Sequence, residues 1–136
     1  MLSAYPACFY KEITGGYSVI FPDLNHLATC GETLDKALIM AVDCLAGYLY
    51  TAFRDGEIVA APSSIATIDP AAEDDEYEEA FVNIVTVDVA EYAKTHFEKA
   101  VKKTLTIPKW LNDRAVRENI NFSQCLQAAL RQKLGV

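Results

Sequence analysis

The chain has 136 residues, is 51% hydrophobic, and carries 12 basic against 19 acidic side chains for a net charge of −7. That apolar fraction excludes a disordered chain, and the length allows one compact domain, or one of about 90 residues with a small appended module. No run is expected to approach the length of a bilayer span, and the N-terminus lacks a basic region followed by an apolar one. A cytoplasmic protein without membrane contact is therefore expected.

Taken in order, Tyr5 to Glu12 is rich in aromatic and small residues and predicts a strand. Thr14-Gly15-Gly16 predicts a hairpin turn, where glycine supplies the positive φ. Tyr17 to Phe21 is the returning strand, ended by Pro22-Asp23, and Leu27 to Cys30 is a third, closed by Gly31. Thr33 can cap a helix whose stripe of Leu34, Ala37, Leu38, Ala41, Leu45, Tyr48 and Leu49 runs to about Phe53. Arg54-Asp55-Gly56 stops it.

Glu57 to Asp69 predicts a loop, and the acidic run from Ala71 to Glu79 a solvated, mobile connection. Phe81 to Asp88 is the strongest strand in the chain. Val89 to Ala100 is either a short helix or a hinge. One helix on an antiparallel sheet makes this body an α+β domain. Cys8, Cys30, Cys44 and Cys125 stand far apart and are expected to be reduced apolar fillers. Neither they nor His26 and His96 have metal-ligand spacing, so no metal or cofactor is expected.

The last 36 residues have a different character. Val101, Lys103, Leu105 and Ile107 alternate with Lys102, Thr104 and Thr106, the period of a strand with unlike faces. Pro108 suits a helix start, and Trp110, Leu111, Ala115 and Val116 give that helix an apolar stripe. Asn121 can cap a second helix, with Gln124 three residues on; its face is Leu126, Ala129, Leu130 and Leu134, and Gly135 lies just beyond. A strand and two helices cannot bury a core alone. Two copies can, by pairing strands antiparallel and interlocking helices through Leu105, Ile107, Trp110, Leu126 and Leu130.

From Lys102 onward there are seven basic and two acidic side chains, a balance of +5, so the remainder carries five basic and seventeen acidic, or −12. The whole-chain pI of about 4.7 argues against nucleic acid, but the asymmetry points to two partners of opposite charge.

The tail resembles the ribbon-helix-helix family of bacterial repressors in K-K-T-L-T-I for the strand, W-L near the first helix start, and I-N-F-S entering the second. The resemblance implies a homodimer whose two-stranded ribbon enters the DNA major groove. Lys102, Lys103, Thr104 and Thr106 would meet operator DNA, and the helix start at Asn121 and Ser123 would face a phosphate.

The body resembles the HicB antitoxin family. Y-x-V-I-F-P-D-L is followed by T-C-G-E-T-L-D-K-A-L, and the matching residues are Phe21, Pro22, Asp23, Gly31, Glu32, Thr33, Leu34 and Ala37, with Ile84 to Asp88 as the last strand. This resemblance implies a small β-β-β-α-β, partial RNase H-like domain over residues 1–100, followed by the ribbon-helix-helix module over 101–136. It implies an antitoxin that neutralises a HicA-like RNA-cleaving toxin and represses its own operon, as a homodimer or as a tetramer where the bodies also associate. Asp23, Glu32 and Asp35 are the expected toxin contacts, and an acidic body suits a basic RNA-binding partner.

Two rival readings are a regulator or dimerisation protein without a toxin, and an RNase H-like nuclease. Dimerisation alone would use the same apolar positions but tolerate acid at Lys102, Thr104 and Thr106. A nuclease needs carboxylates converging on divalent metals. Glu12, Asp43 and Asp88 are available, but no spacing forces them together, and no catalysis is expected.

Overall fold

The first strand, β1 (Leu2–Lys11), lies between β4 (Glu79–Asp88) on one side and β2 (Tyr17–Phe21) on the other, with β3 (Leu27–Gly31) outside β2. All three pairings are antiparallel, with Phe9 opposite both Val19 and Phe81. The computed structural model describes all 136 residues, in two units, Met1–Ala100 and Val101–Val136. β1 starts three residues before the expected Tyr5 and β4 two before Phe81, because each extends along the other from Leu2–Asp88 to Lys11–Glu79.

Alternation sorts β1 into two buried faces. Tyr5, Ala7 and Phe9 join Val19, Phe21, Val85 and Val87 beneath α1 (Leu34–Arg54). Phe9 and Phe81 stack at 5.2 Å, the cross-strand aromatic contact their register requires. On α1, Ala37, Ala41, Leu45, Leu49 and Ala52 are buried at three- and four-residue spacing. Each buried Leu there contributes about 2 kcal/mol. The alanines let the helix sit close to the sheet, and Gly31 is where the approach is tightest. A Cβ on Gly31 would lie 2.4 Å from the Ala37 nitrogen.

α1 is correctly expected, with Thr33 as its N-cap accepting from the Lys36 amide. One expectation about it fails. Its 21 residues include a window of mean hydropathy 1.3, so one run does have the length and composition to cross a membrane. Only a third of that window is buried against the sheet; Leu38, Ile39 and Met40 also raise the average and are exposed.

The connection after α1 also departs from expectation. Pro6, Cys8 and Tyr10 point away from α1 and are fully buried. Two short 3-10 turns, Ile65–Thr67 and Pro70–Ala72, occupy the stretch expected to be irregular. The Tyr10 hydroxyl donates to the Pro70 carbonyl at 2.6 Å, and the Tyr10 and Tyr77 rings lie 5.4 Å apart. Asp69 caps the second turn, Asp74 accepts from the Glu76 amide, and Glu73 meets His26 at 2.5 Å. The start of the acidic run is thus part of a built cover, with Glu73 on an imidazole, Asp74 on a backbone amide and Glu78 on the Lys11 ammonium.

α2 (Val89–His96) resolves the helix-or-hinge alternative for its first eight residues. Asp88 caps it, and Tyr92 donates to Asp43 at 2.8 Å. All four cysteines are free; Cys8 alone is a buried filler, while Cys30 and Cys125 are exposed and Cys44 is intermediate.

The second unit holds α3 (Lys109–Arg117) and α4 (Phe122–Leu134). Residues 101–107, expected as a strand, make no ladder within the chain. A strand is defined by its partner, and nothing else in this unit is extended. Asn119, at φ 55°, ends α3: its N–H and that of Ile120 return to the Val116 and Ala115 carbonyls. Asn121 caps α4 through the Gln124 amide, and Gly135 closes it at φ 72°, both as expected.

Candidate functional site

Two sets of residues qualify, one in each unit, and they differ in chemistry.

In the second unit no residue is buried, and only Ala115 and Leu126 are even half-buried. Trp110 is 67% exposed, Leu105 59% and Leu130 51%, with Ile107, Leu111, Val116 and Leu134 also open. Monomeric soluble proteins rarely leave so much contiguous apolar surface uncovered. The unit's two carboxylates are paired along their own helix, Asp113 with Lys109 at 2.9 Å and Glu118 with Arg114 at 3.5 Å. Such exposed pairs contribute little stability, but they leave Lys102, Lys103, Arg117, Arg131 and Lys133 without a carboxylate partner.

Lys102, Lys103, Thr104 and Thr106 are all exposed on the extended stretch before α3. Asn121 and Ser123 sit together at the start of α4, though neither side chain is idle. The Asn121 Oδ1 accepts from Gln124, and the Ser123 Oγ accepts from the Gln127 side-chain amide at 3.1 Å. What this terminus can offer an anion is its first backbone N–H groups and its dipole.

The three carboxylates expected to face a toxin are divided by the fold. Glu32 and Asp35 lie together at the start of α1, Glu32 paired with Lys36 at 3.3 Å and Asp35 accepting from the Thr33 hydroxyl. That hydroxyl, more than the amide and Lys36 nearby, holds the Asp35 carboxyl below the ordinary carboxylate range. Asp23 lies at the other end of β3, one five-residue strand or roughly 15 Å away. Its carboxylate accepts from both the Ser63 amide, at 2.8 Å, and the Ser63 hydroxyl, at 2.6 Å, so it anchors the segment leaving α1.

The nuclease carboxylates are spread further still. Glu12 follows the last residue of β1, whereas Asp88 pairs with Leu2 at its first, about 30 Å away along a ten-residue strand. Asp43, on α1, accepts from the Tyr92 hydroxyl of α2. No three His, Cys, Asp or Glu side chains converge as a metal site.

Sequence reasoning passed over Tyr17, Ile39 and Met40. Ile39 is 65% and Met40 42% exposed on α1, beside Tyr17 of the hairpin. Their positions fall off the 37-41-45-49 spacing, which is the signal that was available.

A model of the family described as HicB-like antitoxin of bacterial toxin–antitoxin system matches residues 5–130. Antitoxin HicB 1 of Photorhabdus laumondii subsp. laumondii is 36% identical over 61 residues, which is 45% of this chain and 39% of that protein. An uncharacterised 14.9 kDa protein from the rep–hol intergenic region of Haemophilus phage HP1 is 31% identical over 108 residues, 79% of this chain and 74% of that one. Among solved structures, a chain of a toxin–antitoxin complex from Streptococcus pneumoniae aligns with TM-score 0.64 and 33% identity, over 98% of this chain and 99% of that one. The HicB antitoxin of Burkholderia pseudomallei shares the fold at TM-score 0.51 and 22% identity, over 97% of this chain and 98% of that one. With the family match running from within β1 into α4, this chain belongs to the HicB-like antitoxins of bacterial toxin–antitoxin systems.

Proposed function

We propose that the Met1–Ala100 unit neutralises a HicA-like RNA-cleaving toxin and that Val101–Val136 is a ribbon-helix-helix module repressing the operon that encodes both proteins. The observation that carries this reading is the second unit's uncovered apolar stripe, set in a segment of charge +5. A second copy supplies both the missing ladder for residues 101–107 and the cover for Trp110, Leu126 and Leu130. The paired strands then form a ribbon bearing Lys102, Thr104 and Thr106 outward, a shape and chemistry suited to the major groove. The −12 unit supplies the opposite charge, which steers a basic RNA-binding toxin toward it and away from RNA.

A separation-of-function variant tests both halves in cells. Thr106→Glu puts a carboxylate against phosphates, so a reporter driven by the upstream DNA should be derepressed while growth rescue from the neighbouring toxin persists. If repression survives the substitution, the ribbon is not the DNA-reading element. If growth rescue fails in the wild type, the antitoxin half of the reading is lost.

A further inference from the structure

A groove of about 600 Å³ opens where the β1–β2 hairpin, the end of β3 and the first half of α1 meet, with Tyr17, Ile39 and Met40 among its lining. α2 packs against the later part of α1, where Gly47 faces Phe97 and Asp43 holds Tyr92. The groove is the uncovered part of the helix surface before that cover begins. Ile39 and Met40 are exposed and lie outside the buried core, yet they replace the polar residues that an exposed helix face normally carries. Glu12 and Glu32 lie on the groove's margin, and Lys36, its one cation, is already paired with Glu32.

We infer that this groove is where the −12 unit seats its basic partner, the toxin taking an apolar side chain into the floor and setting its own cations against Glu12 and Glu32. The inference rests on the antitoxin reading and gives that reading a place on the molecule. An apolar centre ringed by charge is the usual anatomy of a specific interface, and the sign of the ring selects a basic occupant.

The test uses the full-length chain and the small basic protein encoded in the reading frame beside its own. Affinities are measured for the wild type, Ile39→Asp, Glu32→Lys and a control, Ile58→Asp, whose native side chain is 100% exposed and outside the groove. Glu32 has 88% of its side chain in solvent, so its reversal leaves the fold intact even if Ile39→Asp does not. The expected result is a loss of about tenfold or more for both groove variants and none for the control. Wild-type binding with both groove variants unchanged would overturn the groove while sparing the antitoxin reading. No binding by the wild type would overturn that reading, and the groove with it. A change in sedimenting mass for Ile39→Asp at unaltered toxin affinity would make the groove a contact between copies, against this inference.

Discussion

The Tyr10 hydroxyl donates to the Pro70 carbonyl across the back of the sheet, joining the middle strand to the connection sixty residues later. Tyr10 is fully buried, and burial pushes its phenol well above the ordinary value. Tyr10→Phe keeps the ring against Tyr77 and deletes only the hydrogen bond. It should cost about 1 kcal/mol of stability and make the 57–78 connection more readily cleaved by protease. Denaturant unfolding and limited proteolysis measure the two effects; unchanged cleavage would mean that the ring contact alone holds the cover.

Gly31 is fixed by the approach of α1. An added Cβ would sit 2.4 Å from the Ala37 nitrogen and 2.8 Å from its Cα, both on a helix backbone that cannot step aside alone. Gly31→Ala should destabilise the first unit by about 3 kcal/mol, a large overpacking penalty. Thermal or denaturant unfolding checks it, and a loss under about 1 kcal/mol would show that α1 shifts freely on the sheet.

Stability should fall at high pH through Tyr92. Burial first, then its hydrogen bond to Asp43, pushes the phenol from 10.0 up to about 12. The folded state therefore holds this proton more tightly than the unfolded chain does. Its contribution is fully present below pH 10.0 and is lost as pH rises through about 12. Tyr5 and Tyr10 are raised as well, again chiefly by burial, so Tyr92→Phe should remove part of the alkaline decline and leave the rest. Unfolding curves across that range decide; an identical decline in the variant would exclude Tyr92 as a source.

Trp110→Ala and Leu130→Ala should each weaken dimerisation by about a hundredfold, the scale of a central interface anchor. Both side chains are more than half exposed in the single chain, so the first unit's unfolding transition should not move. Analytical ultracentrifugation over a dilution series measures the constant. Unchanged dimers would place the interface elsewhere.

How far the sequence disclosed this structure depends on how local each cause is. The Thr33, Asn121 and Gly135 caps were legible because a cap involves residues three or four apart, and all three are present. The α1 stripe and the strands were legible from their periods, with ends misplaced by two or three residues because partner strands set them. The back cover was not legible. Acidic composition suggests a solvated linker, whereas Tyr10–Pro70 and His26–Glu73 join residues 60 and 47 positions apart. Nor does the sequence show that Asp23, expected as a toxin contact, accepts from Ser63, 40 residues on. In the tail, alternation from Val101 to Ile107 states a strand's preference without supplying its partner, and the lone chain leaves that stretch unpaired.

DNA binding by the second unit is the proposed property most directly open to measurement. The measurement is affinity for the DNA upstream of the chain's own reading frame, at several salt concentrations, for the full chain and for one ending at Ala100. The full chain should bind tightly, with an affinity that falls steeply with salt as release of counterions from several phosphates requires, and the shortened one should not bind above background. Equal affinities for the two chains would contradict DNA binding by the second unit, and the tail would then be a clasp between copies.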